Sequence, residues 1–496
     1  MKIRFGFELK KWKVGDRDPV TWDSNEMVNG HTLVIGMSGS GKTHTLKKMI
    51  YHMLQSAGAE VPRIHVFDVH GDIDVDPSYS SSVLFSEGTG YGFNPLKVNP
   101  DPHFGGVRKR IQSFLATMNK SMRAMGPKQE AALRNILTDI YEANGFKSDD
   151  SSTWRVESDH AVMLTDGDPN KVFIDVPMHE KDEAKALGAK WSGAPLKCWW
   201  VSAENYEGAI TRWSPKLVSR THPTIKDALR MAQNLLRMSF LGTGAEAVSY
   251  LEVANKAAQA YRRKIISSLR KGETQLEDDE VTSELQKARQ KAIEAYSNYA
   301  NVIVTGAELG QLMKYDSTEV LKSVVDRLTN LDASGIFKST PPPFDRSSPV
   351  WHYNIHALSM AERKLFVLFR LEELFQAAVQ RGQQEHIRDV IILDEAHIYS
   401  DDDDDNIINT IAKEARKFGV ALICASQSPG HFSIDFISSV ATKIILGVDE
   451  MHWRGAAQKM RIDGDALAWI THHVTMLIQM KKKGDQKNEW IWTVIG

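Results

Sequence analysis

The stretch His31-Thr32-Leu33-Val34-Ile35-Gly36-Met37-Ser38-Gly39-Ser40-Gly41-Lys42-Thr43-His44-Thr45 decides how the rest of this chain is read. A short apolar run of strand character leads into G-x-x-x-x-G-K-T and then into a helix-compatible segment ending near Gln55, the setting that a nucleotide-binding P-loop requires. Gly36, Gly39 and Gly41 let the backbone turn tightly, with its N–H groups facing inward at a helix N-terminus where polyphosphate binds. The expected phosphate cradle is Gly36, Met37, Ser38, Gly39, Ser40, Gly41, Lys42, Thr43 and His44. Lys42 is expected to reach the β- and γ-phosphates of ATP, and the Thr43 hydroxyl to help hold Mg²⁺. The competing reading is a Gly/Ser-rich turn that happens to precede a lysine.

A P-loop needs acidic partners delivered by neighbouring strands. Asp389-Val390-Ile391-Ile392-Leu393-Asp394-Glu395-Ala396-His397 supplies an apolar run followed by two carboxylates, the pattern of a buried parallel strand ending at the phosphate site. Asp394 is expected to serve Mg²⁺, and Glu395 to polarise the water that attacks the γ-phosphate. The run 61–72 similarly ends in Asp68, His70 and Asp72, candidates for groups around Mg²⁺ or the water, with a solvated turn as the alternative. Further on, 414–427 reads as a helix end, a Gly cap, a buried strand and a polar terminus at Gln427. Gln427 stands where a γ-phosphate sensor is expected, one strand beyond the acidic pair; a strand-end amide serving loop backbone is the other reading.

At 496 residues the chain is long enough for more than one domain or for a core with insertions. A formal charge of -2 gives no global basic field, so nucleic-acid contacts would have to come from local patches or from assembly. Cys198 and Cys424, far apart in sequence, support neither a disulfide framework nor a cysteine-based metal site, and the expected setting is a reducing cytoplasm. No apolar run approaches membrane-spanning length, so no membrane partner is expected.

Composition divides the chain further into a lead-in at 1–30, a first core part at 31–165, a small α+β insertion at 166–220, a helical insertion at 221–300 and a second core part at 301–496. In the small insertion Lys185, Lys190, Trp191, Lys197, Trp199 and Trp200 interleave basic and aromatic character. That combination suits a single-stranded nucleic-acid surface, but a domain of this size also needs its aromatics inside. Arg262, Arg263 and Lys264 could touch nucleic acid or simply form a solvated helix face.

The motifs G-M-S-G-S-G-K-T, D-V-H-G-D, G-F-N-P-L, I-I-L-D-E-A-H and E-A-R-K-F-G-V-A-L-I-C-A-S-Q-S-P together resemble the HerA/FtsK superfamily of RecA-like motors, and within it HerA-type DNA translocases. The resemblance spans roughly residues 32–480. It implies an α/β RecA-like ATPase core, a homo-hexameric ring, ATP hydrolysed between subunits, double-stranded DNA in the pore and a nuclease or other effector partner, as in DNA processing or phage defence. It also implies a trans-acting cation, for which Arg416 is the matching position with Lys417 beside it; a cation placed by the helix dipole is the alternative. Two departures stand out: only a short lead-in precedes the P-loop where HerA proteins carry a β-barrel, and the acidic tract 401–405 would repel DNA phosphates and is expected on an outer surface. The insertion itself is similar to a small uncharacterised domain found beside plasmid and phage DNA-processing enzymes. A regulatory ATPase scaffold that controls a partner without moving on DNA is the rival function; a kinase or GTPase-like switch is disfavoured by Glu395 after Asp394.

Overall fold

The computed structural model describes residues 1–496 apart from 57, 59–60, 157–160, 165–169, 193–196, 220, 242–244, 271–278, 303–313, 402–405, 487–488 and 496. Most of the acidic tract lies outside the described residues. The chain divides into two compact units, Met1–Phe93 with Lys120–Met122 and Ser334–Gly496, and Asn94–Asn119 with Arg123–Ala333.

In the first unit, Thr32–Gly36 is buried along its whole length and lies inside an eleven-stranded sheet. The strand order is Pro19–Asp23, Lys2–Glu8, Trp490–Ile495, Thr475–Met480, Thr442–Gly447, Thr32–Gly36, Val420–Ser426, Asp389–Leu393, Arg63–Asp68, Val350–Asn354 and Ser80–Leu84. The last seven run parallel. The first four continue the sheet antiparallel. Near-continuous apolar runs such as Val420–Ser426 suit strands covered on both faces, and every residue of that strand is buried. On one face the helix Lys42–Ser56 packs Leu46, Met49, Ile50 and Met53 into a core with Val34, Ile64, Val66 and Ile444. The helix Met360–Arg381 starts at a capping box, with Ser359 Oγ accepting from Glu362 N and Glu362 Oε2 accepting from Ser359 N, and buries Phe366 against Phe85 and Tyr353. This is the RecA-like α/β arrangement. Its consequence for function is that the C-terminal ends of the parallel strands share one edge of the sheet, where ligands of open α/β sheets bind.

The second unit is mainly helical. Pro127–Ala143, Ile225–Leu241 and Thr318–Ala333 pack together, and Ala245–Arg270 pairs with Asp279–Val302. Asp139 is tied to Lys314 Nζ at 2.6 Å and to the Tyr315 hydroxyl. A small antiparallel sheet, Lys171–Ile174, Cys198–Ser202 and Lys190–Ser192, carries its own core of Ile174, Ala184, Ala189, Val201, Ile210 and Trp213. Its tryptophans divide: Trp213 is buried and Trp199 packs against that core, whereas Trp191 is 53% exposed. Trp200 is half-buried between the Lys171 and Lys190 ammonium groups, 5.0 and 5.5 Å from its ring centroid. Cys198 and Cys424 are both buried and free. Among the described residues no helix is long and apolar enough to cross a membrane.

Candidate functional site

The P-loop is built by three glycines with different physical reasons. Gly39 and Gly41 take φ of +75° and +98°, left-handed values that side chains with a Cβ rarely adopt. At Gly36 a Cβ would fall 2.2 Å from Ser40 Oγ and 3.0 Å from Lys42 Cγ, so only glycine lets the loop close on itself. The loop is braced from outside by Met37 N donating to Gly447 O at 3.0 Å, and by His473 Nε2, 2.8 Å from the Gly39 carbonyl oxygen. Within it Ser38 is exposed, Ser40 buried, Thr43 half-buried and His44 exposed.

Lys42 is buried at the first position of its helix, and its ammonium donates to Gly36 O at 2.8 Å. It also lies 3.7 Å from Glu395 Oε1. Glu395 follows directly on the strand Asp389–Leu393 and Asp394, in a left-handed backbone conformation (φ 47°, ψ 48°) that a non-glycine residue holds only where its surroundings fix it. Its Oε2 faces His397 Nδ1 at 3.1 Å and Gln427 Nε2 at 3.5 Å. Burial works against the carboxylate's charge, but the His397 contact and the Lys42 ammonium hold Glu395 below the usual range. Asp394 behaves oppositely: burial and the adjacent Glu395 charge push it up to about 6. Its Oδ2 is buried with no hydrogen-bond partner among the described residues.

Asp68 ends its strand fully buried and organises the turn after it. Oδ1 accepts from His70 N at 3.1 Å and Gly71 N at 2.7 Å; Oδ2 accepts from Ile73 N at 2.9 Å and lies 3.0 Å from His352 Nε2. That turn brings Asp72 Oδ2 to 3.4 Å from the Thr43 hydroxyl and His70 Nε2 to 4.0 Å from Glu395 Oε1. Oxygens of Asp68, Asp72 and Asp394 lie within 4.8 Å of one another. A partnerless buried carboxylate oxygen beside two further carboxylates and a threonine hydroxyl is the oxygen-rich donor set that suits a hard divalent cation.

Two groups reach this edge without a local motif to announce them. His431, from the loop after Val420–Ser426, places its ring 4.8 Å from that of His397 and its Nδ1 3.0 Å from Ser426 Oγ. His473 arrives from the turn before Thr475–Met480. Neither was expected from sequence, because what recruits them is the pairing of distant strands. Arg416 and Lys417, in contrast, are not brought to this cluster. They are exposed on the turn Ala415–Phe418 that precedes Val420–Ser426, at the opposite edge of the sheet. There Arg416 adds to the burial that depresses His31, at the start of the P-loop strand.

A family profile described as the central domain of helicase HerA matches residues 13–159. A curated protein, the DNA double-strand break repair helicase HerA of Pyrococcus furiosus, is 41% identical over 63 residues, 12% of this chain and 11% of that relative. The structure of VirB4 of Thermoanaerobacter pseudethanolicus is similar across 100% of this chain and 96% of the other, with a TM-score of 0.54 and 14% identity. These similarities support a HerA/FtsK-type P-loop ATPase, on a family match that covers residues 13–159 of the chain. The plasmid coupling protein TrwB, solved in complex with ADP and Mg²⁺, is similar over 100% of this chain and 94% of its own, at 8% identity and a TM-score of 0.45. The HerA match over 63 residues spans about a tenth of the curated relative, so that relative's activity is not carried over on similarity alone. A second profile, a domain of unknown function (DUF5710), matches residues 171–215, the small sheet of the second unit.

Proposed function

We propose that this HerA/FtsK-type protein is a ring-forming ATPase that translocates on duplex DNA, with each catalytic site completed by a neighbouring subunit. The observation that supports this reading is the separation of its own parts. Lys42, Asp394, Glu395 and Gln427 meet at one edge of the sheet, while Arg416 stands at the other end of the seven-residue strand Val420–Ser426, about 20 Å away at ~3.3 Å per residue. A cation so placed cannot serve its own P-loop, yet it is free to meet the γ-phosphate held by a second copy.

In this account the P-loop N–H groups and Lys42 bind the β- and γ-phosphates, and Lys42 exchanges its Gly36 carbonyl contact for phosphate oxygen. Asp394, Asp72 and the Thr43 hydroxyl are the groups that would hold Mg²⁺, which supplies charge neutralisation at the phosphates. Asp68 acts mainly by fixing the turn that carries Asp72, since its oxygens already accept three backbone N–H groups. Glu395, kept ionised next to Lys42, accepts the proton of the attacking water. Gln427 and His397, both at Glu395 Oε2, fix the direction in which that carboxylate points. Arg416 of the next subunit stabilises charge on the transferred phosphoryl group.

DNA as the track and an effector as the partner rest on the HerA resemblance. The near-neutral charge of -2 is also compatible with the alternative, a regulatory scaffold whose nucleotide state sets the conformation of a partner. ATP hydrolysis measured with and without duplex DNA across a salt series separates the two. Stimulation that falls as salt rises supports the translocase; hydrolysis indifferent to DNA at every salt concentration supports the scaffold.

A further inference from the structure

The small antiparallel sheet of the second unit, matched by the profile of unknown function, takes no part in nucleotide chemistry. Its register nevertheless gathers a ring and two cations on one face. Trp200 lies in the middle strand, with Lys190 directly opposite it on one neighbouring strand and Phe173 directly opposite it on the other. Residues so paired share a face of the sheet, and Lys171, two positions before Phe173, shares it as well. Phe173 is 2% exposed and closes this face at one end, whereas Trp200 is only half-buried. The exposed Lys190 and the half-buried Lys171 bring their ammonium groups to 5.5 and 5.0 Å from the Trp200 ring centroid. Among the described residues the Trp200 ring is the one partner of the Lys190 ammonium.

The other tryptophans of the sheet are placed differently. Arg212 lies 4.1 Å from the Trp213 ring centroid, but that ring is buried and the guanidinium is paired with Glu183 and Glu180, so this contact serves the small core. Trp191 is well exposed, yet it stands opposite Trp199 in the register and therefore points to the face away from Trp200, where it packs edge to face on the Trp199 ring at 5.3 Å. Only at Trp200 does a partly open indole meet cations on an accessible face. A contact between an exposed ammonium and an aromatic ring is weak, so Lys190 can exchange it for a phosphate oxygen at little loss. Bases of a single strand can stack on the ring, while those of a duplex are already stacked on one another.

We propose that the face formed by Lys190, Trp200 and Lys171 binds single-stranded nucleic acid, with one base stacked on Trp200 and the flanking phosphates held by the ammonium groups. The site rests on neither ATP hydrolysis nor movement along duplex DNA, and each can fail without the other.

The test uses the full chain without nucleotide and follows the fluorescence anisotropy of labelled oligo(dT), oligo(U) and a duplex of the same length across a salt series. The account predicts that Trp200→Ala weakens oligo(dT) or oligo(U) binding about fivefold to a hundredfold, the scale of losing one stacked base, and leaves duplex binding as in the parent. Lys190→Gln should make the slope of log affinity against log salt shallower by ~0.7, the contribution of one single-strand phosphate contact. Trp191→Ala, a loss of exposed ring from the opposite face, should leave both quantities as in the parent. Tighter binding of oligo(dT) identifies a DNA strand and tighter binding of oligo(U) an RNA strand, while equal binding fits a face that reads stacking and phosphate alone. ATP hydrolysis by the Trp200→Ala and Lys190→Gln proteins should match the parent, which separates this site from the P-loop. Where Trp200→Ala does not fold, the surface variant Lys190→Gln carries the test. Absent binding of both single strands at low salt, an affinity and salt slope unchanged in variants that melt like the parent, or Trp191→Ala weakening binding as much as Trp200→Ala overturns the proposal.

Discussion

Glu395 faces two kinds of partner at once: one oxygen looks toward the Lys42 ammonium and the other toward His397 and Gln427. If it is the base, Glu395→Gln lowers kcat by about a hundredfold or more, because an amide of the same shape cannot accept the water's proton. In this account His397 acts through the carboxylate, its Nδ1 lying 3.1 Å from Glu395 Oε2. His397→Ala is expected to lower kcat about tenfold while KM stays within about twofold, the signature of a misdirected rather than missing group. His397→Asn, which retains a donor, should recover much of the loss; a proportional rise in KM with kcat intact would assign His397 to binding instead.

A different histidine carries a pH prediction. His31 is fully buried, accepts the Leu422 N–H through Nδ1 at 3.1 Å, and is pushed down to about 4, first by burial and then by Arg416. A folded-state pKa below the unfolded one means that the neutral ring stabilises the fold above about pH 6.5, and that this stability drains away as pH falls toward 4. His31→Asn, which can still accept the amide, should flatten the part of the denaturation-midpoint curve between pH 6.5 and 4; an unchanged slope would show that His31 is not held neutral.

Among the elements, those that carry chemistry were the most legible. Thr32–Gly36, Asp389–Leu393 and Val420–Ser426 are short apolar runs because they are covered on both faces, and each leads into a site segment: the P-loop, Asp394-Glu395 and Gln427 respectively. The antiparallel extension was harder to see. Thr442–Gly447 buries Lys443, whose ammonium finds Gln479 Oε1 at 2.9 Å, and such a partner across strands leaves no trace in either sequence alone. Thr318–Ala333 did carry a signal, since Leu321, Val324, Leu328 and Leu331 recur at helical spacing, but the expected second core part absorbed it. In the small insertion, composition could not tell inward from outward tryptophans; the packing does, burying Trp213 in the small core and leaving Trp191 exposed. Trp213→Ala should therefore cost about 3–5 kcal/mol, whereas Trp191→Ala should change stability by less than ~0.5 kcal/mol, as read by denaturant unfolding. Equal effects would mean that the two rings share one environment.

For the molecule as a whole, everything hinges on the distance between Arg416 and the P-loop edge. No motif in the sequence gives that distance; it emerges only when the turn Ala415–Phe418 and Gln427 are seen at opposite ends of one strand. An isolated chain should then hydrolyse ATP poorly, with specific activity rising as the protein associates. The most direct measurement is a mixing experiment with Arg416→Ala, which keeps its own Glu395, and Glu395→Gln, which keeps its own Arg416. The two are co-expressed with different tags, and assemblies containing both are purified and assayed for ATP hydrolysis. The account predicts that each variant alone is nearly inactive and that mixed assemblies recover activity, because some interfaces pair an intact Glu395 with an intact Arg416. Mixed assemblies no more active than their parents, or Arg416→Ala alone hydrolysing ATP like the wild type, would contradict a site shared between subunits.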